Sequence, residues 1–237
     1  MKVQVIGNGN ITSNNFNASF LINDKILIDT PPGMLKELKK LNKNLDEIKV
    51  IVITHLHGDH YFDLPFIILN EYARKREEKL IIIGPKDLKK SLEKLTKLAF
   101  YNRLNKYIAN LDITFLDAQT VQNNMVEDDL YLSSIKLVHG EVKFNYGYIF
   151  KTKDKALGIT GDTEMCPGLT YMLKKVNYIL INVNDKKGEH LDLSRFKELA
   201  KTYQINYIPV HFPDEIEAEL IKLKNVKVIN PGEQFFI

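Results

Sequence analysis

Residues 54 to 60 read Thr-His-Leu-His-Gly-Asp-His, placing half of the chain's six histidines beside an aspartate in one short stretch. In an extended segment successive Cβ atoms alternate, so His55 and His57 project to the same side, and a tight turn at Gly58 brings Asp59 and His60 round beside them. One segment then offers ligands to two adjacent cation positions. Imidazole nitrogen with carboxylate oxygen suits zinc, and to a lesser degree iron or manganese. Unrelated surface-loop histidines are the bland alternative, and His-x-His-x-Asp-His at the end of an apolar run is too specific a pattern for it. Two further histidines end apolar runs in the same way, His139 after Ile-Lys-Leu-Val and His211 after Ile-Asn-Tyr-Ile-Pro-Val, and Asp162 lies in Thr-Gly-Asp-Thr after Lys-Ala-Leu-Gly-Ile. Taken singly, each histidine has an ordinary structural explanation and Asp162 could cap a turn. Taken with the first motif they read as ligands to a pair of cations, with Asp162 placed to bridge them.

Those residues need a scaffold that brings strand ends together, since α/β sheets gather their sites at the carboxyl ends of strands. The chain supplies it. Short apolar segments predict strands at 2–6, 18–22, 25–29, 49–54 and 79–84, then at 113–118, 130–139, 144–151, 155–160, 177–183, 205–211 and 226–230. Helices are predicted at 31–44, where Pro31 and Pro32 suit a start, and at 63–79, 85–100, around 169–175, 192–203 and 214–224. In the 85–100 helix, Leu88, Leu92, Leu95 and Leu98 keep helical spacing, which leaves its lysines as a solvated face. Lys-Val-Ile-Val-Ile is continuously apolar, as in a strand buried on both faces. Two halves, each a sheet with helices, predict sheets packed face to face between helical layers: a four-layer α/β sandwich forming a single domain over 1–237.

Composition bounds the function. The chain has 237 residues, 44% of them hydrophobic and 27% charged, with a formal net charge of +3. That mild basicity is compatible with an anionic substrate and falls short of a protein that coats nucleic acid. No apolar run approaches the roughly 20 residues needed to span a bilayer, and the first residues lack a signal peptide's apolar core and cleavage site. Cys166 is the sole cysteine, so no internal disulfide forms, and together these features predict a cytoplasmic protein without a membrane partner. Cys166 itself reads as a small buried or turn residue.

The order His-x-His-x-Asp-His, His, Asp, His resembles the metallo-β-lactamase fold superfamily over nearly the whole chain. The resemblance implies an αββα sandwich with two divalent metals in a cleft at its edge. His55, His57 and His139 would bind the first, Asp59, His60 and His211 the second, and Asp162 would bridge. True β-lactamases carry cysteine where this chain has Asp162, which argues against antibiotic hydrolysis; glyoxalase II-type thioesterases have a shorter interval after the first motif. Asn-Ala-Ser-Phe-Leu-Ile-Asn, Ile-Leu-Ile-Asp-Thr-Pro-Pro-Gly, His-Leu-His-Gly-Asp-His-Tyr-Phe-Asp-Leu-Pro and Ile-Thr-Gly-Asp-Thr are similar to segments of the ribonuclease Z and cyclic phosphodiesterase branch. Gly-Glu-His-Leu-Asp-Leu-Ser-Arg-Phe looks like that branch's extra histidine motif, with Leu191 where Ser or Thr is usual. The match implies that His190 contacts a phosphoryl oxygen or, as imidazolium, protonates the leaving group; the alternative is an exposed loop histidine.

Two departures bear on the substrate. Transfer-RNA-processing members usually insert a long arm between the ligands matching His139 and Asp162, where this chain has only a hairpin. Their acidic His-Glu-Ala segment is replaced by Ile-Asn-Val-Asn at 181–184, and Asn182 is an unexplained polar residue in an apolar strand. The expectation is therefore a dinuclear phosphodiesterase, with zinc or else manganese or iron, acting on a small anionic phosphodiester such as a cyclic nucleotide. Asp59 would orient the attacking water and His190 assist departure. RNA as partner in 3′-processing of tRNA, a thioesterase or lactonase, and a non-catalytic metal-binding module are the alternatives. Lysines at 151–155 and in the 86–97 helix would steer an anion or simply be solvated. Whether the chain forms a homodimer, as relatives often do, is left open by the sequence, and Phe235 and Phe236 would serve an interface or the core equally well.

Overall fold

The computed structural model describes residues 1–101, 104–185 and 187–237. The first half forms β1 (Lys2–Gly7), β2 (Ser19–Ile22), β3 (Ile26–Ile28), α1 (Met34–Lys40), β4 (Val50–Val52), α2 (Gly58–Tyr61), α3 (Leu64–Ala73), β5 (Leu80–Gly84), α4 (Leu88–Phe100), α5 (Leu104–Ala109) and β6 (Ile113–Asp117). The second forms β7 (Asn124–Glu127), β8 (Leu130–Lys136), β9 (Tyr146–Lys151), β10 (Ala156–Ile159), α6 (Pro167–Leu173), β11 (Tyr178–Asn182), α7 (Leu193–Thr202), β12 (Asn206–Val210), α8 (Glu217–Leu220) and β13 (Gln234–Phe236). Among the described residues the strands make two sheets, ordered β13-β1-β2-β3-β4-β5-β6 and β12-β11-β10-β9-β8-β7.

Strand alternation produces the layering. Val3, Val5, Ile26, Ile28, Val50 and Val52 of one sheet face Leu132, Tyr148, Phe150, Leu157 and Leu180 of the other in the inter-sheet core. Their neighbours Leu21, Leu27, Ile51 and Ile82 turn outward onto Met34, Leu38, Leu64 and Leu92. Ile149, Ile179 and Ile181 turn onto Leu169, Met172 and Phe196 of α6 and α7. Residues two apart share a face and both faces are covered, which is why β3 and β4, and β11 as far as Ile181, read as apolar runs. The four-layer αββα sandwich expected from the sequence is the observed fold. Tyr148 ties the sheets across the core, its hydroxyl donating to the Ile53 carbonyl at 2.9 Å.

Several element assignments differ from the pattern. Residues 226–230 are not a strand: Val226 makes one isolated bridge to Tyr207, and the chain turns at Asn230–Glu233 so that β13 pairs with β1 instead. The helix expected over 214–224 is a 3₁₀ turn, Asp214–Ile216, followed by the single turn of α8. The helix expected to 79 ends at Ala73, and α1 begins only at Met34, after Gly33 in a left-handed conformation. In α4 the buried stripe runs Leu88, Leu92, Thr96, and Leu98 is 87% exposed. A spacing of four follows that contact, whereas Leu98 lies about 120° round the helix from Leu92. No helix among the described residues is long and apolar enough to cross a membrane.

Candidate metal centre

The carboxyl ends of β4, β8, β10 and β12 deliver His55, His139, Asp162 and His211 to one rim of the sandwich, and the loop after β11 delivers His190. His57 precedes α2, and Asp59 and His60 lie within it. One ligand atom from each of His55, His57, His139 and Asp162 lies within 4.8 Å of the others, as do those of Asp59, His60 and His211. Asp162 belongs to both surroundings. Its Oδ2 is 3.5 Å from His60 Nε2, 3.7 Å from His139 Nε2 and 4.0 Å from His55 Nε2, and its Oδ1 is 3.4 Å from His211 Nδ1. Every ligand residue expected from the sequence is brought to this cluster.

The local backbone is shaped for it. Asp29, at the end of β3 with φ of 58°, turns its carboxylate onto the exit of the adjacent β4. It accepts the Thr54 amide at 2.8 Å, the Thr54 hydroxyl at 2.9 Å and His60 Nδ1 at 2.9 Å. Because the Thr54 hydroxyl donates to Asp29, it accepts from His55 Nδ1 at 3.1 Å. One buried carboxylate thereby sets the tautomer of two ligands, leaving the Nε2 lone pairs of His55 and His60 facing the cluster. His139 is set likewise, its Nδ1 donating to the Glu189 carbonyl at 2.8 Å. His211 sits at φ 54° with its amide donating to the Asn8 carbonyl at 2.6 Å. Gly161 precedes Asp162 at φ 58°, where a Cβ would meet the Thr54 Cβ at 2.6 Å. Asn145 Nδ2 donates to the Asp162 carbonyl at 2.7 Å.

The electrostatics follow from this packing. Burial alone would push the Asp162 carboxyl up, but the surrounding imidazoles, His211 and His60 foremost, hold it well below the usual carboxylate range. Burial works to lower His60, and Asp162 and Asp29 on its two sides overcome that and raise it well above an ordinary imidazole. Burial pushes His55 well down, and His57 down less steeply. Burial pushes the Asp59 carboxyl up, but His211, its Nε2 3.2 Å away, and His60 together draw it below its usual value.

Buried polar atoms in native proteins find partners. Here His55 Nε2, His60 Nε2, His211 Nδ1 and Asp162 Oδ1 are buried without a hydrogen bond. His57 Nδ1 and His139 Nε2 face each other at 3.2 Å, although the second carries a lone pair. Convergent nitrogen and carboxylate lone pairs without protein donors are what divalent cations satisfy, so the residues fit such a site.

Against known proteins, the family model described as "Anti-Pycsar protein Apyc1" matches residues 1–235. The chain belongs to the anti-Pycsar Apyc1 family. A ribonuclease Z of Clostridium botulinum is 29% identical over 168 residues, 68% of this chain and 53% of that protein. This member of the Apyc1 family thus spans about half the length of the curated relatives it matches. In structure it superposes on YhfI of Bacillus subtilis, a metallo-β-lactamase fold protein, with a TM-score of 0.76 at 17% identity, covering 99% of this chain and 98% of that one. On the short form of human tRNase Z the TM-score is 0.73 at 19% identity, covering 100% and 99%. The fold is the metallo-β-lactamase fold and the branch is ribonuclease Z-like.

His190 is not a free loop histidine. Its ring stacks on His211 at 5.4 Å and lies 4.8 Å from His139, with Nδ1 3.7 Å from Asp162 Oδ2. Burial lowers its pKa. The loop carrying it is stapled to the end of β11, Asn184 donating to the Leu191 carbonyl and accepting from the Leu193 amide. Cys166 caps α6, its Sγ accepting from the Leu169 amide. The lysines at 151–155 sit at the β9–β10 turn, at the opposite end of both strands from His139 and Asp162, so they are solvated charge rather than a guide to the site. Asp29, Thr54, Asn145 and Asn182 have roles here that spacing alone did not assign. The run Ile-Leu-Ile-Asp-Thr carried the signal for Asp29, as a charged residue directly ending a buried strand.

Proposed function

We propose that the chain is a divalent-metal-dependent phosphodiesterase hydrolysing a small or cyclic phosphodiester, of the cyclic nucleotide kind. What supports it above all is the convergence of buried, unpartnered ligand atoms of His55, His60, His211 and Asp162 beneath the half-buried ring of His190. A small substrate is favoured because the stretch between His139 and Asp162 is the β9–β10 hairpin, closed by residues 152–155, with no extended arm to grip a folded RNA.

In this reading His55, His57 and His139 would hold one cation and Asp59, His60 and His211 a second, with Asp162 shared between them; zinc suits the donor set, manganese or iron less well. Such cations supply Lewis acidity toward a phosphoryl oxygen and lower the pKa of water. Asp59 is drawn toward His211 through Oδ2, and its other oxygen would accept a hydrogen bond from the attacking water and orient it. His190, beside His139 and His211, would meet the phosphoryl or leaving oxygen. Residues 1–237 act as one catalytic domain.

RNA cleavage is the second reading, favoured by the curated relatives named ribonuclease Z. The test is turnover by zinc- or manganese-loaded protein of bis(p-nitrophenyl) phosphate, 3′,5′- and 2′,3′-cyclic nucleotides, a tRNA precursor and a thioester, with Asp162→Ala as control. Metal-dependent cleavage of a small diester, absent in the control, is the expected result. Turnover of the tRNA alone would replace this reading with the second, and turnover of the thioester alone would remove the phosphate assignment.

A further inference from the structure

Asn182 ends β11, a strand whose neighbours Ile179, Leu180, Ile181 and Val183 are all fully buried and apolar, and it is itself fully buried. Burying a primary amide is unfavourable unless its groups are paired, and here each contact can be assigned. The Thr163 backbone amide donates to Asn182 Oδ1 at 2.9 Å. A backbone N–H is only ever a donor, so this contact fixes which end of the side chain is oxygen. The NH2 end is therefore the one 3.4 Å from His190 Nδ1. Asp162 Oδ2, 3.7 Å from the same Nδ1, lies beyond hydrogen-bond range, so the Asn182 NH2 group is the partner of Nδ1; two donors cannot share that contact, so Nδ1 presents its lone pair and the ring proton sits on Nε2.

Resting on the reading of His190 as a substrate-facing group, we propose that Asn182 is a positioning residue with two simultaneous tasks. Its oxygen pins the loop that carries Asp162, and its NH2 group holds His190 as the Nε2–H tautomer, a neutral hydrogen-bond donor to a phosphoryl or leaving oxygen. A carboxylate at this position would reverse the second task, calling the proton to Nδ1 and leaving Nε2 bare or the ring charged. The strand end thus selects between two roles for the same histidine, and in this chain it selects donation without proton transfer. It also accounts for a polar residue in a strand that is otherwise apolar.

Three variants and one spectrum test this. Asn182→Asp keeps an acceptor for the Thr163 amide, so zinc content stays at the wild-type level, and kcat on bis(p-nitrophenyl) phosphate and on a 3′,5′-cyclic nucleotide falls about tenfold or more with KM within about twofold, the scale of one charged-partner hydrogen bond. Asn182→Ala, which also strands the Thr163 amide, lowers kcat at least as much, whereas adding Asn182→Asp to His190→Ala costs nothing further, because the second task acts through His190. Long-range ¹H–¹⁵N correlation of zinc-loaded, ¹⁵N-histidine-labelled protein shows His190 protonated at Nε2 in the wild type and at Nδ1 in Asn182→Asp. Wild-type protonation at Nδ1, wild-type kcat in Asn182→Asp, or a loss from Asn182→Asp that persists without His190 would each overturn the proposal. His190→Ala turning over diesters at the wild-type rate would instead sink the reading of His190 beneath it, and the spectrum still reports separately on Asn182.

Discussion

Asp29→Asn separates the orientation of the ligands from the stability of the scaffold. Asparagine tolerates the left-handed backbone that Asp29 adopts at φ 58°, so the substitution adds no backbone strain. Its oxygen still accepts the Thr54 amide, which Asp29 now accepts at 2.8 Å. The new NH2 group takes the place of the oxygen facing His60 Nδ1 at 2.9 Å and the Thr54 hydroxyl at 2.9 Å. The hydroxyl can turn and accept. His60 cannot keep a proton on Nδ1 against a donor, so it takes the Nε2–H form, which blocks the nitrogen that faces Asp162 and Asp59. Loss of such an orienting partner weakens metal affinity by about 10–100-fold, or roughly 1.4–2.7 kcal/mol. The expected result, from titration of zinc against a chromophoric chelator, is a loss of that size at the Asp59–His60–His211 cluster, a smaller one at His55–His57–His139, and little change in the melting temperature of the zinc-free protein. Asp29→Ala behaves differently, since it strands the buried Thr54 amide and the His60 Nδ1–H together, at about 1–3 kcal/mol each. Wild-type zinc affinity at both clusters in Asp29→Asn would refute the claim that this carboxylate sets the tautomer of His60.

Zinc affinity should rise with pH. In the cation-free protein, Asp162 and Asp29 raise His60 above the ordinary imidazole value of 6.5. Protonated His60 therefore stabilises the cation-free fold most fully below 6.5, a contribution lost as pH climbs through the raised value. A cation must displace that proton, so affinity gains up to tenfold per pH unit across this window, with proton release measurable by calorimetry in two buffers; a flat profile would remove the assignment. Gly161→Ala forces a Cβ within 2.6 Å of the Thr54 Cβ at a backbone φ of 58°, so thermal unfolding should show a loss of about 2 kcal/mol or more and zinc affinity should drop with it. Cys166→Ala removes the cap on the Leu169 amide and should cost about 1 kcal/mol in denaturant unfolding, with zinc content unchanged because the thiol is no ligand.

What could be read from the sequence, and what could not, divides along a physical line. The residues of the candidate metal centre could be grouped from the sequence because metal chemistry restricts residue type severely, and because a strand end followed by a loop marks itself locally. His55, His57, Asp59 and His60 announce one another within six positions, and His139, Asp162 and His211 each close an apolar run. The layers were legible for the same reason, since continuous burial of β3 and β4, and of β11 as far as Ile181, leaves an apolar signature. The end of the chain was not, because Val226–Asn230 and Gln234–Phe236 are equally plausible strands by pattern. Only the position of β1, with Val5 accepting the Gly232 amide, decides which one pairs. Asp29 and Asn182 fall in the same class for a further reason. Each is a lone polar residue at the end of a short apolar strand, Asp29 directly after β3 and Asn182 the last residue of β11, and each reaches a partner from elsewhere in the chain: Asp29 His60, 31 residues on, and Asn182 Thr163, 19 residues back. Their meaning comes from parallel pairing, β3 beside β4 and β10 beside β11, which aligns strand ends distant in sequence at one rim. A lone polar residue ending a buried strand is thus a signal without an address until the neighbouring strand is known. Once it is known, the choice between carboxylate at 29 and amide at 182 becomes chemistry: the first calls protons onto Nδ1 and frees Nε2 for a cation, the second does the reverse and leaves Nε2–H for substrate.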